Sequence, residues 1–159
     1  MRGVRGGGLK GIALAVAAAT ATILAAVSAQ AASVKEVFEN YGLLGTFAGD
    51  CSQPASSGNG YIVYRAIDAG HVQRDTMTGP SKRDYVYIGD AATGTGPNTL
   101  DVAGKTTDDK PFSYALRIEG SRHRVMTWTE GGVTSIVDGV WKEKKYTMPW
   151  ATKCSAPVK

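Results

Sequence analysis

The stretch that decides the fold is Pro111-Phe112-Ser113-Tyr114-Ala115-Leu116-Arg117-Ile118-Glu119-Gly120-Ser121-Arg122-His123-Arg124-Val125-Met126-Thr127-Trp128-Thr129. Phe112, Tyr114, Leu116 and Ile118 recur at every second position, the period of a strand with two unlike faces. Gly120-Ser121 supplies a tight turn, and Arg122, Arg124, Met126 and Trp128 then share one face of a second strand. Strands joined so closely pair antiparallel, because a parallel pair needs a long crossover. The same pattern runs outward in both directions. Strands are expected at 43–50, 60–68, 71–78, 83–89, 98–106, 111–119, 122–129 and 133–142. Turn chemistry separates them at Pro54–Asn59, Asp68-Ala69-Gly70, Gly79-Pro80-Ser81, Ala91–Pro97, Asp108-Asp109-Lys110 and Gly131-Gly132. Gly139, inside the last segment, reads as a bulge. Beyond residue 31 the chain holds 36 Val, Ile, Thr and Tyr against 4 Leu, a balance that suits pleated surfaces.

One helix is expected before the strands, over 34–41. Ser33-Val34-Lys35-Glu36 is a capping box, Val34, Val37, Phe38 and Tyr41 follow at helical spacing, and Gly42 sits at the left-handed cap. Cys51 and Cys154 are the two cysteines, and an even pair in an exported chain is read as a disulfide. Such a bridge spans nearly the whole domain and contributes about 4–5 kcal/mol by loop closure. It follows the first strand and the last, so it brings the two ends of the sheet together. The fold expected is therefore an all-β, eight-stranded antiparallel up-and-down barrel with a short N-terminal helix. The strand 42–49 should lie beside 133–142, with 144–159 a linear tail tied back through Cys154. Two stacked sheets with the same bridge remain an alternative. A membrane barrel is disfavoured, because Arg65, Arg74, Arg117 and Arg122 would crowd several strands.

Residues 1–31 read as a cleaved export signal. Arg2, Arg5 and Lys10 form its positive start, Gly11–Val27 its apolar run, and Ser28-Ala29-Gln30-Ala31 a small-x-small cleavage site. The barrel domain then covers 32–143. The expected location is periplasmic or secreted, with no membrane span after cleavage. Removing the signal lowers the net charge from +4 to +1, which excludes nucleic acid as an expected partner.

The short helix and the Gly45-Thr46-Phe47 that opens the first of eight meandering strands resemble the lipocalin and wider calycin pattern, as found among small secreted bacterial barrel proteins. In that pattern a Gly-x-Trp motif begins strand one. Its ring closes the barrel floor, and an arginine packs on it. The resemblance implies the barrel and carries no activity with it.

No catalytic constellation stands out. His71, Gln73 and Asp75 share a strand face and read as a solvated surface more readily than as an acid–base pair. His123, between Arg122 and Arg124, is expected at the surface. Asp108-Asp109 is turn chemistry, and Gly94-Thr95-Gly96-Pro97 lacks the following helix that phosphate binding needs. No metal and no cofactor are expected, since a metal site needs more ligands than the two cysteines and only His71 and His123 are on offer.

The aromatic residues carry the functional expectation. Tyr61, Tyr64, Tyr85, Tyr87, Tyr114 and Trp128 lie within strands, and an eight-stranded barrel has room for packed side chains or one small ligand, for which Tyr61, Tyr85, Tyr87, Tyr114 and Trp128 are the candidate rings. Tyr hydroxyls need partners when buried, so these rings suit a polar-tipped pocket as well as a packed core. Arg65 or Arg74 would orient a ligand, and an inward Arg65 would call for a carboxylate. The expected partner is a small apolar or aromatic molecule bound by a monomer. The alternative is an envelope protein contacted through loops and the C-terminal segment. There Lys142, Lys144, Lys145, Lys153 and Lys159 face a single Glu143, with Trp141, Tyr146 and Trp150 interleaved.

Overall fold

The computed structural model describes residues 31–155, so the segment read as an export signal lies outside the described residues up to Gln30. Helix α1 (Val34–Asn40) carries both halves of the expected capping box: Ser33 Oγ accepts from Glu36 N–H at 3.3 Å and Glu36 Oε2 accepts from Ser33 N–H at 2.8 Å. It ends at Gly42, whose φ of +66° is the left-handed cap. Eleven strands follow: β1 (Gly45–Ala48), β2 (Tyr61–Ala66), β3 (Val72–Gly79), β4 (Lys82–Gly96), β5 (Thr99–Thr106), β6 (Pro111–Glu119), β7 (Arg122–Glu130), β8 (Val133–Val137), β9 (Val140–Trp141), β10 (Tyr146–Thr147) and β11 (Ala151–Lys153). Eight of them close a barrel in the order β1-β2-β3-β4-β5-β6-β7-β11, each neighbour antiparallel. The expected fold class is present.

The closing strand differs from expectation. The partner of β1 is β11, through Phe47 against Lys153 and Ala48 against Thr152, and β11 in turn pairs with Arg122 and His123 of β7. The segment 133–142 is not beside β1, and 144–155 is not a linear tail. Instead Asp138 and Gly139, with φ of 52° and 76°, make the primed hairpin turn that splits 133–142 into β8 and β9. Asp-Gly between apolar residues is a strong hairpin signal, so Gly139 is a turn residue and not a bulge. The resulting β8–β10 flap pairs with the far end of β7, from Trp128 to Glu130.

A second correction lengthens β4. Ala91–Gly96 reads as loop because its residues are small, yet it pairs with Thr99–Ala103 of β5, leaving Pro97-Asn98 as the turn. Small residues are required here by close approach. A Cβ on Gly104 would stand 2.0 Å from the Ile88 carbonyl oxygen, and one on Gly94 would stand 2.3 Å from the Tyr41 hydroxyl. That hydroxyl donates to the Gly96 carbonyl at 2.8 Å and fastens the helix end to β4.

Alternation sorts the walls. Phe112, Tyr114, Leu116 and Ile118 of β6 share a face, as expected, and that face is the buried one. On β7 a bulge skips Met126, so Leu116 faces Val125 while Ala115 faces Thr127. The inward set therefore runs His123, Val125, Trp128, and the expected shared face of Arg122, Arg124, Met126 and Trp128 does not hold along the strand. Val34 and Phe38 of α1, with Leu43, complete the core. Phe47 is 1% exposed, and the Lys153 ammonium lies 6.0 Å from its ring centroid while donating to the Gly42 carbonyl at 2.9 Å.

Cys51 and Cys154 are bonded, with Cα atoms 5.5 Å apart, and Cys154 N–H donates to the Thr46 carbonyl at 2.8 Å. The pair is consistent with an oxidising, exported location. Because the bridge closes a separation of 103 residues and anchors the three-residue β11, Cys51→Ala/Cys154→Ala should lose about 4–5 kcal/mol in urea denaturation. A loss below about 1 kcal/mol would mean that strand pairing alone holds the ring.

Candidate functional site

The barrel centre is occupied by its own arginine. Arg74 on β3 points inward and is 8% exposed, with its guanidinium carbon 4.9 Å from the Trp128 ring, 5.7 Å from Tyr87 and 5.9 Å from Tyr114. The rings form a continuous stack: Tyr114 and Trp128 lie 5.1 Å apart at 3°, and Phe112 stands 6.0 Å from Trp128 at 9°. Aromatic faces carry negative quadrupole charge, so they stabilise a buried cation without neutralising it. Arg74 Nη1 donates to Thr76 Oγ1 at 2.8 Å.

His123 sits beside it, 1% exposed, and the expectation of a surface position is corrected by the β7 pleat, which turns it inward. Its ring stacks on Phe47 at 4.6 Å and meets Tyr64 edge-on at 5.5 Å, with Nε2 3.1 Å from the Tyr64 hydroxyl. Burial, then the nearby Arg74 charge, push its pKa down to about 4. The same burial raises the Tyr64 and Tyr114 phenols, against a partial lowering by Arg74. Tyr87, which donates to Glu130 at 3.2 Å, is pushed up to about 12 by burial and by the Glu130 charge.

The six residues expected to line a ligand pocket divide. Tyr87, Tyr114 and Trp128 come together, but around Arg74. Tyr85 stacks on Tyr87 at 6.3 Å and is 61% exposed. Tyr61 and Arg65 lie on the outer face, because inward positions on β2 are Ile62 and Tyr64. Tyr61 is buried beneath the 50–59 loop with its hydroxyl on the Gln53 carbonyl. Arg65 donates to Asp75 at 2.6 Å, and Arg83 approaches the same carboxylate at 3.4 Å. Asp75 is thus 2% exposed and no part of a solvated face, while His71 is exposed and bonds Asp68 at 2.8 Å. Among the described residues no group of three or more His, Cys, Asp or Glu gathers as a metal site.

A cleft of about 160 Å³ reaches the interior from the side. It exists because β11 pairs only with the first two residues of β7 and β8 only with the last three, so the wall is interrupted between them. Met148-Pro149-Trp150 crosses that interruption, and Gly49, Gly58 and Gly60 line the cleft without side chains to fill it. Arg74 and His123 also line it, with Ile62, Arg124 and Val125. Trp150 is held by Arg122 and Arg124, whose guanidinium carbons stand 4.5 and 4.9 Å from its ring. The sequence placed Trp150 only in the C-terminal contact surface and gave Arg124 and Met148 no part in a site; the missing signal was the return of 151–153 to the barrel.

His123 makes stability depend on pH. Its pKa falls from an ordinary 6.5 to about 4 on folding, so the unfolded chain binds the extra proton between those values. Stability should be full above about pH 6.5 and decline by on the order of 3 kcal/mol on acidification to pH 4. Urea denaturation at pH 7 and 4.5 measures the decline, and His123→Gln should flatten it; a flat wild-type profile would show that His123 protonates alike in both states.

The chain matches no protein-family model, no curated protein and no solved structure.

Proposed function

We propose that this protein is an exported binder of a small apolar or aromatic ligand, seated in the lateral cleft and not in an open barrel mouth. The observation that carries the reading is the cleft itself, where a break in the barrel wall lets Arg74 and His123 line a cavity together with the apolar groups Ile62, Val125, Met148 and Trp150. The Arg74-centred stack fills the position a larger ligand would need, which limits the occupant to something small. A cavity of about 150 Å³ suffices for benzene in an engineered apolar core, so about 160 Å³ admits one ring with a small substituent.

A second reading rests on the flap. Val133, Val137, Val140 and Tyr146 are exposed there, next to the exposed Lys142, Lys144 and Lys145. Apolar groups beside cations suit contact with another envelope component.

Tryptophan fluorescence titrated with benzyl alcohol separates the two. The cleft reading expects a saturable change in emission, weakened about tenfold in Trp150→Ala, with a small molecule retained in native mass spectra of protein purified from its own source. No saturable change and no retained molecule would leave the flap reading in its place.

A further inference from the structure

Among the described residues four buried side-chain nitrogens lack a hydrogen-bond partner: Arg74 Nε, His123 Nδ1, Arg124 Nε and Trp141 Nε1. The first three belong to residues that line this lateral cleft, and no Asp or Glu lines it. Arg74 ion-pairs with no carboxylate among the described residues. Elsewhere the molecule does pair its buried charge: Asp75, 2% exposed on the outer face, is held by Arg65 and Arg83.

We propose that the cleft is an anion site whose ligand is a small planar carboxylate carried on an apolar ring. The proposal rests on the reading of the cleft as a ligand site and adds the ligand's charge. A buried guanidinium with a free N–H is costly unless an anion completes it, and its planar fork of donors matches a carboxylate. His123 contributes a dipole and not a charge. His123 Nε2 and the Tyr64 hydroxyl share a hydrogen bond at 3.1 Å, and in the tautomer where the hydroxyl donates, the ring proton sits on the unpartnered Nδ1, which is then a donor to the ligand. Arg124 adds a second cation beside Trp150. The apolar walls argue for a ring behind the carboxylate and against a bare inorganic oxyanion, which would leave Ile62, Val125 and Met148 unused.

Isothermal titration of the purified protein at pH 7 and constant ionic strength, with benzoate, benzyl alcohol and inorganic phosphate, tests it. Benzoate should bind at least tenfold more tightly than either of the others. Arg74→Met should erase the preference for benzoate over benzyl alcohol while benzyl alcohol still binds. If that variant does not fold, Arg124→Gln, at a partly exposed position, should weaken benzoate several-fold and leave benzyl alcohol unchanged. Equal binding of benzoate and benzyl alcohol, or a preference that survives both variants, overturns the anion site and leaves the cleft reading standing. Phosphate binding as tight as benzoate overturns the planar carboxylate. Failure of both rings to bind removes the cleft reading together with this one.

Discussion

The barrel depends on the insertion of three residues, Ala151–Lys153, between β1 and β7. Without them the chain would be an open meander with two unpaired edges, the arrangement that invites intermolecular pairing. So short a strand contributes few ladder bonds, and its position is reinforced from outside the ladder. The Cys51–Cys154 bridge holds its C-terminal side, and the Lys153 ammonium bonds the Gly42 carbonyl where the helix ends. Helix, first strand and last strand are thereby tied at one place.

The same economy opens the wall. Because β11 covers only the start of β7, the middle of that strand has no partner strand on this side, and the flap takes up its far end. Gly139 N–H donates to the Met126 carbonyl at 2.8 Å and satisfies part of the gap. The lateral cleft is the geometric remainder. A longer closing strand would have sealed it, so the feature that makes the ring fragile is also the one that gives its interior an opening.

Inside, packing and charge are joined. Trp128, Tyr87 and Tyr114 bury large apolar areas, yet they are arranged around a guanidinium, and two further polar groups, His123 and Tyr64, share a hydrogen bond in the core. The histidine is kept neutral by the burial that packs it. An apolar core of equal volume would be expected to be more stable. Retention of an unpaired cation next to a cleft free of acids is the reason the interior reads as more than filler.

Much of the fold was legible in the residues. The capping box of α1, the alternation in β6, the antiparallel order, the closed eight-stranded ring and the cysteine pair are all local or pairwise signals, each carried by a period or a spacing. The site was not legible, and particular residues show why. Arg74 and Arg65 sit on neighbouring strands with similar surroundings in sequence, but the register of β2 against β3 sends one inward and the other onto Asp75. His123 looks like a surface residue between two arginines until its register opposite the buried Ile118 of β6 turns it inward, and the Met126 bulge then breaks the face expected for Arg122, Arg124, Met126 and Trp128. Trp150 lies in a segment with no strand pattern, since three residues are too few to display one. The sequence by itself determined the helix, the antiparallel run of strands from β1 to β8 and that the ends of the ring meet, because alternation and turn chemistry act over a few residues. Only the tertiary structure decided which segment closes the ring, which faces point inward and where the wall stays open, because register and bulges are settled by partners distant in the chain.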